Sequence, residues 1–386
     1  MTAPLEGLKV IELARILAGP WIGQTLSDLG AEVIKIESPE GDFTRNWGPP
    51  FVKRADGSDG DAAYFHSANR GKKSVVVDFQ TEPGRDAILK LVADADVFIE
   101  NFKVGGLAKY GLDYDALRKV NPRLIYLSLT GFGQTGPSAH KAGYDFMIQG
   151  LAGIMDLTGD PDGEPQKMGV AFADIFTGLY GVIGIQSALM VRDKTGKGQH
   201  IDVALMDCMS AVLANQALNY LVSGTPPTRM GNAHPNIVPY QVFPASDGHL
   251  IIATGSQGQW AKMCQVLGLD ELIEDARFLT NSDRVKNRDE LAALISDKTS
   301  QRTRDEMLEA FEAVFVPAGP INTVADTFND PQVIARKLRV DVPAGDGVMV
   351  PSVRTPITFS ESTLKLERAS PALGEHSDEV LGALKG

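Results

Sequence analysis

Five short runs decide the fold: LKVIEL (8–13), AEVIKIE (31–37), KSVVVDF (73–79), DVFIENF (96–102) and RLIYLSL (123–129). Each is apolar, rich in β-branched residues and about as long as one strand. Helical patterns separate them, the first opening near Pro20 and another at Glu82-Pro83. Strands that are apolar on both faces and alternate with helices predict a parallel sheet covered on both sides, joined by right-handed crossovers. The expected fold class is α/β, a doubly wound, Rossmann-like large domain with its ligand at the carboxyl ends of the strands.

The pattern continues with helices near 144–157 and 174–193, the turn DKTGKG (193–198), the strand QHIDVAL (199–205) and a helix to about Val222. The apolar stretch 175–191 reads as a buried core helix. GTPPTRMGNAHPNIVP (224–239) then reads as a linker. YQVFPASDGHLIIAT (240–254) predicts a hairpin around Asp247-Gly248, with helices near 257–267, 287–299 and 303–314. A second linker-like stretch, VPAGPIN (316–322), precedes a helix at Asp330-Pro331 and final strands at VMVPSV (348–353) and PITFS (356–360). The expected division is a large α/β domain over 1–223, a smaller α+β domain over 224–329, and a segment over 330–386 that returns to the large domain.

The 386 residues are 43% hydrophobic, enough for a sizeable core, and carry a net charge of −12, which argues against nucleic acid or an anionic membrane as partner. A local cluster of cations can still hold a phosphate on such a chain. Cys208 and Cys264 are isolated and read as buried small hydrophobes, and six scattered histidines show no metal-ligand spacing. No metal and no permanently bound cofactor is expected. The N-terminus lacks the basic and apolar regions of a secretory signal, so a cytoplasmic location is expected.

Two motifs mislead. GFGQTG (131–136) fits a dinucleotide fingerprint, but Pro137, Ser138 and Ala139 follow where a helix must begin, so a Gly-rich loop is the better reading. Lys194-Thr-Gly196 matches one element of a β-lactamase set without the others and reads as a helix-ending turn. Asn69-Arg-Gly-Lys-Lys73 is a basic cluster at a strand entrance, either a solvated face or a phosphate clamp. Asp174 is a first-turn helix acid. Pattern alone does not single it out among 49 acidic residues.

Longer ordered blocks carry more. LKVIEL…AGP, GAEVIKIE followed by Gly41-Asp42 and Arg45, NRGKKS (69–74), ENF (100–102), GFGQTGP followed by GYD (143–145), GVAFADIFTGLYG (169–181) and RDKTGKGQHIDVAL resemble the class III CoA-transferases. That group includes formyl-CoA transferase, carnitine CoA-transferase and α-methylacyl-CoA racemase. NYLVSG, GNAHPNIVPYQVF, RVKNRDEL and GPINTVADTFNDPQV look most like its succinyl-CoA:glutarate members. The resemblance implies an interlocked homodimer that takes acyl-CoA and a carboxylic acid as substrates. It places the nucleophilic carboxylate on Asp174, which the helix N-terminus would keep ionised. Gly178 and Gly181 would let another element approach. The family's glycine-rich loop falls on Gly255-Ser-Gln-Gly258. Coenzyme A contacts fall on Asn69, Arg70, Gly71, Lys72, Asn101, Phe102 and Lys109. Tyr144, Arg229 and His234, with Arg70, are candidates to meet the acceptor acid. Leu17 stands where formyl-CoA transferase has glutamine, and Tyr144 where the racemases have histidine. Both departures argue for diacid CoA transfer over formyl transfer or racemisation. A racemase and a silent CoA-binding homologue stay as alternatives.

Overall fold

The computed structural model describes residues 2–384. Six strands form the central sheet: β1 (Lys9–Leu13), β2 (Glu32–Glu37), β3 (Lys73–Val76), β4 (Val97–Glu100), β5 (Ile125–Thr130) and β6 (His200–Ala204). Their spatial order is β3-β2-β1-β4-β5-β6, and every neighbouring pair is parallel. The chain therefore builds outward from β1 in one direction, then returns to build outward in the other. The reversal lies between β1 and β4, where the crossovers diverge and leave a crevice at the strands' carboxyl ends.

Side chains alternate across the sheet with period two. Val10, Val33, Val97 and Ile125 join one buried cluster, with Ile22 and Leu26 of helix α1 (Ala18–Asp28). Ile11, Ile34, Phe98 and Tyr126 join the other, with Ile88, Leu91 and Val92 of helix α2 (Glu82–Ala93). Helices α3 (Tyr114–Val120) and α4 (Asp145–Leu151) follow, and then α5 (Phe172–Thr195). Gly178 and Gly181 let α5 close on α1: a Cβ at Gly178 would stand 3.1 Å from the Ala18 carbonyl oxygen, and one at Gly181 would stand 2.4 Å from Ile22.

Helix α5 is not buried all round as expected. Its faces split, with Ala173, Val182, Ile185 and Ala188 in the core and Leu179, Ile183 and Met190 exposed. It is long and apolar enough to cross a membrane, although a helix with one buried face passes the same test. The helix expected over 144–157 is broken at Ala152-Gly153, and the one expected to Val222 is two, α6 (Leu205–Ala211) and α7 (Ala214–Ser223).

Two compact units emerge: Met1–Met155, Lys167–Thr225 and Pro331–Gly386 form one, and Asp156–Gln166 with Pro226–Asp330 form the other. The short excursion 156–166 is absent from the sequence reading. Arg229 explains it, because its guanidinium donates to the carbonyls of Asp156, Asp160 and Gly163 and pairs with the Asp156 carboxylate at 3.2 Å.

In this second unit β7 (Tyr240–Ala245), β8 (Gly248–Ala253) and β9 (Ala318–Pro320) form an antiparallel sheet. Around Phe243, Leu250 and Ile252 pack Trp260 of α8 (Gln257–Leu267), Ile295 of α9 (Arg288–Thr299) and Phe311 of α10 (Arg304–Ala313). Strand β9 lies inside VPAGPIN, so that stretch is an edge strand, not a linker. The end of the first unit holds an antiparallel hairpin of Arg339–Pro343 with Met349–Val353. PITFS forms no strand. Arg354 instead donates to the Ile357 carbonyl within it, and to those of Arg336, Lys337 and Thr355 beside it.

Candidate active site

A cavity of about 470 Å³ opens at the carboxyl ends of β1, β4 and β5 in the first unit. Around it stand Arg15, Leu17 and Ala18 after β1, Asn101 to Lys103 after β4, Gly131 after β5, and Tyr144, Asp145 and Asp174. The order reversal between β1 and β4 sits at its centre. There Asn101 binds the backbone of Arg15 on both sides, accepting from its N–H at 3.1 Å and donating to its carbonyl at 2.7 Å.

The helix carrying Asp174 begins without a cap of its own, because Ala171 has no side-chain acceptor. Asp145 supplies one from α4: its Oδ1 accepts from the N–H of Ala173 at 2.8 Å and of Asp174 at 3.4 Å. Gln149, fully buried, donates to the other Asp145 oxygen and accepts from the Met168 N–H. Two glycines fix how the chain reaches Asp145. Gly131 and Gly143 touch backbone to backbone, and a Cβ on either would stand within 2.5 Å of the other's Cα. That contact folds the GFGQTGP loop back and delivers Tyr144 and Asp145 to the mouth of β5.

Asp174 is half-buried, and among the described residues its carboxylate has no hydrogen-bond or ion-pair partner. Burial pushes its pKa up to about 7, with the Asp145 charge adding to the shift. This corrects the expectation that the helix N-terminus keeps it ionised. Burial, with the Asp145 charge beside it, works against the ionised form that the helix N-terminus would favour. An unpaired carboxylate of that kind is suited to nucleophilic attack.

The cavity's cations are Arg15, Lys103, Lys109 and Lys141. None of the four has a carboxylate partner among the described residues. Arg15 lies between the rings of Phe43 and Phe102, 5.5 and 5.3 Å from their centroids. An aromatic-flanked guanidinium with ammonium groups beside it suits a ligand carrying phosphates and a planar base.

The model of CoA-transferase family III matches residues 5–377 of the chain. The chain belongs to CoA-transferase family III. It is 57% identical, over 99% of its length and 96% of the relative's, to a succinate–glutarate CoA-transferase of Agrobacterium fabrum. It is 40% identical, over 98% of its length and 85% of the relative's, to a human succinyl-CoA:glutarate CoA-transferase. A crystal structure of a CaiB/BaiF family protein from Brucella suis superposes with a TM-score of 0.88 at 62% identity, covering all of both chains. The chain is thus an enzyme of this family, acting on CoA thioesters.

Against the CoA-transferase expectation the structure separates the site residues into groups. Asn101, Phe102, Lys109, Tyr144 and Asp174 share the cavity. Asn69, Arg70 and Lys72 do not line it. They are buried, and Lys72 donates to Glu12, the Pro20 carbonyl and Asn69, while Arg70 grips Asp28 with two nitrogens. Gly71, at φ +79°, donates its N–H to Arg368 and Ala369 in the C-terminal segment. The fold uses this cluster internally, where the sequence left a phosphate clamp open.

Arg229, His234, Gly255 and Gly258 belong to the second unit. Arg229 is the staple already described and is not a free cation. His234 accepts from the N–H groups of Asn236 and Ile237 at Nδ1, and burial and Arg288 lower its pKa. Gly255 donates to the Gln259 side chain, and Ser256 caps the helix containing Gly258, which makes this segment an ordered helix start. Arg15, Lys103 and Lys141 went unseen in the sequence, and Asp145 entered only as the end of the GYD motif, with no role. Arg15 and Lys103 immediately follow β1 and β4, so the strand-end rule applied at the order reversal would have found them. Asp145 lies 29 residues before Asp174, and nothing local links the two.

Proposed function

We propose that this enzyme moves CoA from succinyl-CoA to a dicarboxylate such as glutarate, with Asp174 as the carrier. The observation that supports this most is an unpartnered carboxylate in a cavity edged by unpartnered cations. Asp174 attacks the thioester carbonyl, the C–S bond breaks, and the CoA thiolate leaves a mixed anhydride. The thiolate then attacks the aspartyl carbonyl, the donor acid departs, and an aspartyl-CoA thioester remains. The acceptor carboxylate attacks that thioester and the two steps run in reverse. Each step exchanges one oxygen or sulfur leaving group, and no proton changes hands. The half-buried setting of Asp174 limits hydrolysis of the anhydride. The acceptor's far carboxylate then falls to Arg15, Lys103, Lys109 or Lys141, because Arg70, Arg229 and His234 are otherwise engaged.

Racemisation needs an acid/base pair across an α-carbon. Tyr144 replaces the histidine of that pair and is 67% exposed, so its ring is free to turn in the cavity mouth. The homodimer is also part of this proposal. Phe146 and Leu151 on α4, Ile183 and Met190 on α5, and Leu221 and Val222 on α7 are large apolar side chains left exposed, which a second copy would cover. The test is incubation with succinyl-CoA, then mass spectrometry of the peptide holding Asp174. An acyl or CoA adduct that glutarate discharges is expected. No adduct across a thioester panel, with full activity in Asp174→Ala, would reject the mechanism, and deuterium wash-in at an α-carbon without acid exchange would favour the racemase.

A further inference from the structure

Between the end of β1 and the start of α1 the backbone makes one turn that its sequence disfavours. Ile16 sits at φ +74°, a left-handed conformation that a β-branched residue rarely adopts. Something must hold it there. The Ile16 N–H points at Asp42, whose two carboxylate oxygens accept at 3.2 and 3.3 Å. Asp42 itself is fixed from several sides: its carboxylate takes Thr44 N–H at 3.1 Å and Thr44 hydroxyl at 2.8 Å, and lies 3.1 Å from the Lys35 ammonium. Its own N–H donates to Glu37 at 3.0 Å. Lys35 is anchored in turn on Glu12 and the Ala14 carbonyl.

The turn matters because of what it carries. Arg15, Ile16, Leu17 and Ala18 are consecutive residues of the cavity wall. Asn101 holds the peptide groups of Arg15 and Asp42 holds that of Ile16, so neighbouring links of the wall are pinned from different strands. The Ala18 carbonyl then meets α5 at Gly178, one helical turn beyond Asp174. The conformation at Ile16 thus sets where the wall stands relative to the reacting carboxylate.

We infer that Asp42 is a positioning residue for CoA transfer: by holding the Ile16 N–H it fixes the Arg15–Ala18 wall opposite Asp174. This rests on Asp174 being the nucleophile. Two variants test it without a shared weakness. Ile16→Pro removes the N–H and forbids positive φ while leaving the buried charges of Asp42, Lys35 and Glu12 untouched. Because proline cannot take this φ, the melting temperature should fall, but below that transition, with native circular dichroism, the variant should lose on the order of 10²-fold in kcat and change KM for succinyl-CoA by less than about threefold. Asp42→Asn places an amide N–H against Lys35 and the Ile16 N–H. Its penalty should be similar with Ile16 present and should shrink to within about threefold when measured on an Ile16→Gly background, since glycine takes this φ unaided.

A kcat for Ile16→Pro within about threefold of the parent overturns the inference. So does an Asp42→Asn penalty that is equal on both backgrounds, which would mark a purely structural acid. If Asp42→Asn does not fold, the Ile16→Pro result decides alone. Asp174→Ala is run beside them. If it stays active, the nucleophile and this inference fall together. If it is dead while Ile16→Pro is unimpaired, only the positioning role falls.

Discussion

Two basic clusters of the first unit make opposite use of the same chemistry. Arg70 and Lys72 are buried, and every charge meets a carboxylate, Asp28 for one and Glu12 for the other. Arg15, Lys103, Lys109 and Lys141 edge the cavity without one. Arg70 and Lys72 stand just before a strand of the sheet, and Arg15 and Lys103 just after strands of the same sheet. The difference is whether the fold brings an acid alongside. Gly23 shows how deliberately it does so in the buried case, because a Cβ there would stand 1.8 Å from the Glu12 carboxylate that holds Lys72. A cation is available to a substrate only where no such acid has been supplied.

The largest effect should come from breaking the buried cluster. Arg70→Ala strands Asp28 in the interior and should lower unfolding free energy by about 3–5 kcal/mol, seen as a fall in the urea midpoint. If stability barely moves, the internal role assigned to this cluster is wrong. The cavity cluster should respond in the opposite way. Lys103→Ala with Lys109→Ala should raise KM for succinyl-CoA by roughly tenfold to a hundredfold and flatten its salt dependence, with the melting temperature unchanged.

Asp174 sharpens the contrast, as an unpartnered charge of the other sign. Its folded pKa, about 7, lies above the ordinary carboxylate value, so the native state prefers the protonated form. The penalty for ionising it grows as pH rises from the unfolded value and is complete above the folded one. Asp174→Asn should therefore stabilise the protein at pH 8, by about 1–2 kcal/mol after allowing for solvent screening, and have no such effect near pH 3.5. For the same reason kcat in the parent should drop about tenfold per pH unit below 7, and Asp145→Asn should move that inflection to lower pH. The smallest effect belongs to Lys141→Ala, which should leave stability within about 0.5 kcal/mol.

The contrast also shows what the sequence could reveal. The parallel sheet was legible because Val, Ile and Phe in runs such as Val97-Phe98-Ile99 satisfy two cores at once, and few other folds ask for that. The strand at Ala318–Pro320 was not, because Pro317 and Pro320 make the stretch resemble a linker; as an edge strand it has one side on which a missing N–H does no harm. PITFS failed in reverse, with strand-like residues that pair with no strand and an Ile357 carbonyl that Arg354 takes. Within the site, Asn101, Phe102 and Lys109 could be placed from family motifs. The engagement of Asn69 to Lys72 could not, since Asp28 and Glu12 reach them only across 42 and 60 residues of chain. Asp174 was chosen by resemblance, and its environment became visible only when Asp145 was placed against its helix.

The closure of the first unit by its last residues has a consequence for how the chain is made. Thr355 donates to Asp28 across 327 residues, Ser377 accepts from Val76 across 301, and His376 donates its N–H to the Ser74 carbonyl. The second unit is synthesised between these halves. On the ribosome, β3 emerges as an open sheet edge and stays so until His376 and Ser377 have been translated, while the second unit, mostly one continuous stretch, has its core residues in hand first. Contacts of such long sequence separation form slowly. The tail is therefore a late-arriving cover for an edge that would otherwise recruit other strands, and a chain cut short before Arg368 should aggregate during synthesis rather than fold.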